Sequence, residues 1–75
     1  MSNKAELDLA GVGWPVCLLE CKRTLKSMQA GDILEIALQD PDALDELVTI
    51  VTRSPDRILA IDPEQGGYRI RIRKG

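Results

Sequence analysis

Residues 8–22 read Asp8-Leu9-Ala10-Gly11-Val12-Gly13-Trp14-Pro15-Val16-Cys17-Leu18-Leu19-Glu20-Cys21-Lys22. This stretch decides the fold, because a strand-like alternation stops at two glycines and a helical pattern opens at Pro15. Proline suits the first helical position, where its missing amide hydrogen has no intrahelical partner. The stretch also holds the single tryptophan and both cysteines of the chain. It therefore predicts a strand that turns into a helix, with residues suited to thiol chemistry or recognition at the helix start.

The segments on either side extend this strand and this helix. Residues 5–10 alternate polar and apolar, the period of a half-buried strand with Leu7 and Leu9 facing inward. Beyond Pro15, apolar residues recur at three- and four-residue spacing, which predicts a first helix that ends at about Met28. The inward stripe of this helix is Leu18, Cys21, Leu25 and Met28.

A second strand and a second helix follow. Residues 33–38 are almost wholly apolar, which predicts a strand inside the sheet. Asp40 can cap free helix amides, and Pro41 fits the first helical position. This helix is predicted to run to about Arg53, with a buried stripe of Leu44, Leu47, Val48 and Val51.

The last segment of the chain predicts a hairpin. Residues 57–62 form a third strand, and the paired glycines within residues 63–67 supply the positive φ that a hairpin turn needs. Residues 68–73 alternate strictly and form a fourth strand. One of its faces carries Tyr68, Ile70 and Ile72, and the other carries Arg69, Arg71 and Arg73.

The element order is thus β-α-β-α-β-β within a single domain, residues 1–75, of which we expect residues 1–4 to be disordered. Right-handed crossovers place both helices on the same side of one mixed four-stranded sheet. The predicted fold class is α+β, a two-layer sandwich with the other sheet face open to water. A chain of this size buries only about 60 to 65% of its unfolded surface, which leaves room for one core.

Composition narrows the classes of function. The net charge of −2 argues against a general nucleic-acid binder, which is usually clearly basic. No apolar run approaches the ~20 residues of a membrane span and the first residues lack the pattern of a signal peptide, so we expect a cytoplasmic protein. With no histidine and two cysteines, a closed zinc site and general acid–base catalysis lack their usual groups. We therefore expect no metal, no cofactor and two reduced thiols.

Several motifs along the chain match a known family. Trp14-Pro15-Val16-Cys17 opens the first helix, and Gly31-Asp32, Asp40-Pro41 and Gly67-Tyr68 follow. With these residues the chain resembles the TusA/SirA-like family of small sulfur-carrier proteins over residues 7–74. The resemblance implies the same β-α-β-α-β-β fold and the passage of persulfide sulfur between this protein and a sulfur donor or acceptor protein.

One motif departs from the family pattern. The signature of the family is Cys-Pro-x-Pro at the start of the first helix, and its first cysteine carries the sulfur. Here Trp14 stands at the cysteine position and Cys17 at the position of the second proline. The resemblance therefore implies the fold and a role in sulfur transfer, but the sulfur-carrying residue of the family is replaced.

Cys17 is the candidate substitute and would act as a persulfide carrier. As the third helical residue it lies where unpaired amides and the helix dipole stabilise a thiolate, and Lys22 or Arg23 would add to this. On a helical wheel it also lies only about 60° from the centre of the apolar stripe, so the alternative is a packed, inert thiol. Cys21 lies within the stripe and is predicted to be a small core side chain.

Trp14 has two interpretations as well. It can fold back over the helix start against the sheet edge, or it can stand exposed as an aromatic anchor for a partner. The wheel turns Val16 and Leu19 to solvent, so that they form one apolar patch with an exposed Trp14. A member of this fold without thiol chemistry would use that patch as a non-catalytic interaction or regulatory module. The candidate partner-binding residues are Trp14, Pro15, Val16, Leu19 and Lys22.

The basic stripe of the fourth strand is a further candidate surface. Arg69, Arg71 and Arg73 are predicted to form a solvated sheet face on which Glu35 pairs across strands. The alternative is a face for an anionic partner, either an acidic protein surface or RNA. Stacking aromatics, which RNA recognition usually employs, are missing from this stripe.

Overall fold

The computed structural model describes residues 3–75 as two layers, a four-stranded sheet with two helices packed on one of its faces. The predicted α+β sandwich is confirmed. Lys4 already belongs to the first strand, whereas residues 1 and 2 of the start predicted as disordered lie outside the described residues. In chain order the elements are β1 (Lys4–Asp8), α1 (Val16–Ser27), β2 (Ile33–Leu38), α2 (Pro41–Thr52), β3 (Arg57–Glu64) and β4 (Gly67–Arg73).

The strands lie in the order β1-β2-β4-β3. β1 and β2 are parallel and are joined by the crossover that contains α1. β4 is antiparallel to both β2 and β3, so the last strand of the chain occupies an inner position. On the face that the helices cover, Leu34 and Ile36 of β2 lie opposite Ile72 and Ile70 of β4, and all four are fully buried. These two inner strands form the floor of the core.

Each helix lays one apolar stripe on that floor. The predicted stripe of α2 is correct for Leu47 and Val51, but Leu44 and Val48 are only half-buried and Ala43 is buried instead. Residues 43, 47 and 51 recur at four-residue spacing and therefore share one face of the helix. The stripe of α1 consists of Cys17, Leu18, Cys21 and Leu25.

Within residues 3–75, no helix is long and apolar enough to cross a membrane.

The two helices begin differently. At α2, a side-chain oxygen of Asp40 accepts a 2.9 Å hydrogen bond from the amide of Asp42, which is the predicted cap. At α1, Pro15 is not the first helical residue as predicted. Its carbonyl oxygen accepts hydrogen bonds from the amides of Leu18 and Leu19, so Pro15 caps the helix and Val16 is the first helical residue.

The hairpin between β3 and β4 is tighter than predicted. Glu64 still pairs with Gly67, so only Gln65 and Gly66 form the turn. Gly66 has a φ of +80°, which glycine adopts without strain. Pro63 is tolerated inside β3 because an edge strand has one side that needs no amide donor. β3 is therefore two residues longer than its apolar pattern suggests.

Candidate functional site

The start of α1 presents three apolar side chains to solvent. Trp14 is 55% exposed, Val16 51% and Leu19 59%. We call these three residues the helix-start patch. Of the two predicted placements of Trp14, the exposed one is observed, and the helical wheel correctly turns Val16 and Leu19 outward. Binding of a partner by this patch stays a prediction.

The loop between β1 and α1 holds the patch outside the core. Leu9 is buried, and its carbonyl oxygen accepts a 3.0 Å hydrogen bond from the amide of Val12. Gly11 has a φ of +83°, in the left-handed region that favours glycine, and its amide donates 3.0 Å to Oε1 of Gln39. These contacts hold the first part of the loop in place, and Trp14, which follows it, lies outside the core.

The indole of Trp14 reaches toward α2. Its Nε1 donates a 3.1 Å hydrogen bond to Oε2 of Glu46. Carboxylates near the start of a helix are favoured by the helix dipole, and here they give the patch an acidic border. The hollow beside the indole, about 510 Å³, is lined by Trp14, Asp40, Asp42, Asp45 and Glu46. Within residues 3–75, these or other metal-ligating side chains do not converge in groups of three.

Cys17, the predicted substitute thiol, is fully buried, with 0% of its surface exposed. It belongs to the apolar cluster between the helices and the sheet. The position of Cys17 near the helix start predicts an unpaired amide, but this amide donates a 3.1 Å hydrogen bond to the carbonyl oxygen of Gly13. Transfer of sulfur through Cys17 stays a prediction that requires the first turn of α1 to open.

Cys21 is also 0% exposed, as expected for a small core side chain. Burial, with smaller contributions from the nearby Cys17 and Glu20, raises the pKa of the Cys21 thiol to about 12. A thiol of this kind is neutral at physiological pH and is a poor nucleophile, because the thiolate is the reactive form. Cys21 therefore acts as part of the core.

The remaining two predicted partner-binding residues lie on either side of the patch. Pro15 is exposed between Trp14 and Val16. Lys22 is exposed one helical turn beyond Leu19, and it lines a separate groove together with Leu25. Pro15 thus lies within the patch, and Lys22 borders it one helical turn beyond Leu19.

The open sheet face is organised around one buried carboxylate. Glu35 accepts a 2.7 Å hydrogen bond from Nη2 of Arg71, and Lys4 Nζ and Arg69 Nη1 lie 3.3 and 3.5 Å from its oxygens. The hydrogen bonds from Arg71 are the main reason that the pKa of Glu35 lies below its usual range. Arg69 and Arg71 are therefore engaged within the sheet, as predicted for a solvated face, and Arg73 is exposed beside them.

The family model described as sulfurtransferase TusA matches residues 5–74, nearly the whole chain. The chain belongs to the TusA sulfurtransferase family. One similar member of the TusA group is the sulfur carrier protein TusA of Allochromatium vinosum, which is 26% identical over 69 residues. That match covers 92% of this chain and 91% of the relative, so the resemblance indicated by the motifs is confirmed along the whole domain.

Two features of this TusA-family chain are not indicated by its sequence patterns. The carboxylate of Asp32 is buried and accepts 3.0 Å hydrogen bonds from the amides of Asn3 and Gln29, which hold its pKa below the usual range. The Gly31-Asp32 motif marked the position but not these contacts. The bond between Trp14 and Glu46 joins residues 32 positions apart, and no local pattern links them.

Proposed function

We propose that this protein acts in intracellular sulfur trafficking by docking sulfur-handling proteins through the helix-start patch, without an exposed thiol of its own. One observation carries the proposal: Trp14 stands exposed where α1 begins, while both cysteines of the chain are fully buried. Membership of the TusA family supplies the context of sulfur trafficking. The partners are a sulfur donor or a sulfur acceptor protein.

The chemistry of sulfur transfer supports docking without transfer. A carrier thiol must reach the donor persulfide as a thiolate, and exchange depends on access to the attacking sulfur. The buried thiols of Cys17 and Cys21 do not meet this requirement in the folded protein. By the motif resemblance, Trp14 stands at the position of the sulfur-carrying cysteine. A partner that receives the start of α1 would therefore meet an indole instead of a thiol.

The patch has the composition of a binding site. Tryptophan is among the residues most enriched at interface hot spots, because a rigid ring buries a large area at little entropic cost. Val16 and Leu19 lie three positions apart on α1 and so present neighbouring side chains. Removal of these three side chains from water on binding would favour association. The acidic border at Asp42 and Glu46 would favour partners with a complementary positive rim.

A second candidate function is transfer through Cys17. It is supported by the position of Cys17 in the first turn of α1, directly after the exposed Val16, since opening of that single turn would uncover the sulfur. The Cys17 thiolate would attack the outer sulfur of a donor persulfide. A new sulfur–sulfur bond forms at Cys17, the donor sulfur–sulfur bond breaks, and the donor leaves as a thiolate.

The two candidates are separated by a mass measurement. The reduced protein is incubated with glutathione persulfide, and its intact mass is recorded beside that of Cys17→Ser. We expect no gain of a sulfur atom in the folded protein. A gain that disappears in Cys17→Ser would establish the carrier, and a gain that persists would assign it to Cys21.

The docking role is tested with a photo-crosslinking residue in place of Gly13, where an added side chain would meet nothing and Trp14 is kept, and the crosslink identifies the partner in cells. Binding of the purified partner is then measured for Trp14→Ala and Leu19→Ala. We expect each to weaken binding by about tenfold or more, the range of interface hot spots. The control is Leu59→Ala, which removes an exposed apolar side chain from β3. Equal affinity of Trp14→Ala and Leu59→Ala would contradict the role of the patch.

A further inference from the structure

A groove of about 530 Å³ lies at the far end of the helix layer. Leu25 of α1 and Ile50 of α2 supply apolar side chains, and the chain that follows β4 supplies Lys74. The volume lies in the range of functional clefts, and four cations and one carboxylate, that of Asp56, border its apolar floor. The four cations of this groove, which we call the basic groove, are Lys22, Arg23, Lys26 and Lys74.

Two of these cations are already neutralised. Nη2 of Arg23 lies 3.0 Å from Oε2 of Glu20 on the same helix, and Nζ of Lys74 lies 3.4 Å from Oδ1 of Asp56. Among residues 3–75, no carboxylate lies within ion-pair distance of Lys22 or Lys26. The groove is therefore positive in a chain whose net charge is −2.

Lys22 and Lys26 also repel each other. They lie four positions apart on α1 and so share one face of the helix, where like charges are destabilising. Lys26 is favoured by the negative end of the helix dipole, but Lys22 lies too far from that end to gain from it. A ligand that brings carboxylates between the two ammonium groups would replace this repulsion by attraction.

We propose that the basic groove is a second docking site, which binds an acidic segment of a partner protein while the helix-start patch holds another partner. The inference rests on the proposed docking function. Carboxylates of the segment face Lys22 and Lys26, and an apolar side chain of the segment covers Leu25 and Ile50. Charge complementarity selects this occupant, because an acidic segment matches both the cations and the apolar floor.

The placement of the two sites allows both to be filled together. α1 has 12 residues and is therefore about 18 Å long, with Trp14 just before its start and Lys26 in its last turn, while Leu19 of the patch and Lys22 of the groove lie one helical turn apart. The borders of the two sites also have opposite charge. Carboxylates surround the hollow beside Trp14, whereas lysines surround the groove. Two partners of opposite charge would therefore be directed to different ends of the helix layer.

The test uses the whole chain labelled with ¹⁵N and an acetylated peptide of sequence Glu-Leu-Glu-Glu-Leu-Glu as the probe. We expect saturable shifts of the backbone amides around Lys22, Lys26 and Ile50. The matched peptide Lys-Leu-Lys-Lys-Leu-Lys should leave these amides unmoved. Shifts spread over the whole surface, or centred on Trp14, would overturn the proposal.

Variants then separate the groove from general charge effects. Lys26→Glu is expected to weaken peptide binding by about tenfold, since each lost or reversed ionic contact lowers the affinity. Lys22→Gln provides a second, milder variant that leaves the end of the helix untouched. The control is Arg53→Glu, which makes the same charge change at an exposed cation outside the groove. Equal weakening by Lys26→Glu and Arg53→Glu would overturn the proposal.

A final comparison tests simultaneous occupancy and alternative occupants. Trp14→Ala should change peptide affinity by less than about twofold, because Trp14 lies just before the start of α1 and Lys26 in its last turn. A larger loss would show that the two sites are one. Tighter binding of a single-stranded oligonucleotide, or groove shifts caused by raising the concentration of the protein alone, would assign the groove to another occupant. None of these measurements uses the partner of the patch, so failure of the groove and failure of the proposed function are distinguishable.

Discussion

Trp14 donates its indole hydrogen to Glu46 over 3.1 Å, which links the loop before α1 to the first half of α2. The bond fixes the orientation of a ring that is more than half exposed. It also couples the candidate docking residue to a carboxylate of the neighbouring helix. A partner that takes up the indole would therefore act on both helices at once.

Removal of the acceptor should release the indole. Glu46→Ala is expected to lower the fluorescence anisotropy of Trp14, the single tryptophan, because the ring gains rotational freedom. Glu46→Gln keeps an acceptor oxygen and should preserve the anisotropy. The free energy of unfolding should change by less than about 1 kcal/mol, because Glu46 is an exposed surface residue. Unchanged anisotropy in Glu46→Ala would show that packing alone holds the ring.

The buried thiol of Cys21 should make the protein sensitive to alkali. Its pKa rises from 9.0 to about 12 on folding, so the folded state holds the proton more tightly than the unfolded state. The stabilisation is complete below pH 9 and is lost as the pH rises toward 12, by at most about 1.4 kcal/mol per pH unit. Urea unfolding across this range should show a shallower decline in Cys21→Ala than in the wild type. Parallel declines in the two proteins would contradict the assignment.

Glu35 should govern part of the acid stability. Its pKa is lowered in the folded state, so its contribution is present above the ordinary glutamate value near 4.5 and is lost as the pH falls below it. Glu35→Gln leaves Lys4, Arg69 and Arg71 without their shared carboxylate, which should lower the urea midpoint at pH 7 and weaken the decline in acid. Asp32 also has a lowered pKa, so some acid dependence should remain.

The control for that experiment is Glu64→Gln. Glu64 pairs with Arg69 at an exposed position, with Arg69 Nε 2.6 Å from its carboxylate. Exposed ion pairs contribute little, so this variant should keep the stability and the acid dependence of the wild type. If both glutamine variants behave alike, burial of Glu35 does not set the pH dependence.

Leu47 should be among the most sensitive core positions. Its side chain is fully buried between α2 and the sheet, and Leu47→Ala is expected to lower the free energy of unfolding by about 2 to 5 kcal/mol through lost contacts and a cavity. Leu59→Ala removes the same atoms at an exposed bulge of β3 and should change stability by less than about 0.5 kcal/mol. Equal losses measured by urea unfolding would contradict the assignment of the core.

Local patterns predicted the helices and strands because glycine, proline and capping residues mark where most of them begin or end. β2 lies between Gly31 and Asp40, and its apolar run leaves one place for a strand, which the structure confirms with the same bounds. The cap at Asp40 likewise follows from residue types alone. The strand order does not follow in this way, because Ile70 and Ile72 would fit opposite any apolar strand. The pairing of β4 with β2 depends on tertiary packing.

The candidate site was predictable only in part, for a similar reason. A helical wheel correctly predicts that Val16 and Leu19 are exposed, because their exposure depends only on which side of α1 they occupy. It places Cys17 at the margin of the apolar stripe, but the packed core of both helices and the sheet covers that margin and buries the thiol completely. The contact between Trp14 and Glu46 depends in turn on how α1 packs beside α2.

The ribosome makes β4 after β2 and β3, yet this strand lies between them. Until residues 67–73 leave the exit tunnel, the nascent chain holds two strands with unpaired backbone groups on the sides that β4 will fill. Such edges pair readily with other chains. The sheet therefore closes only after synthesis has passed Arg73, and a chain that stalls before Gly67 would depend on a chaperone to avoid aggregation.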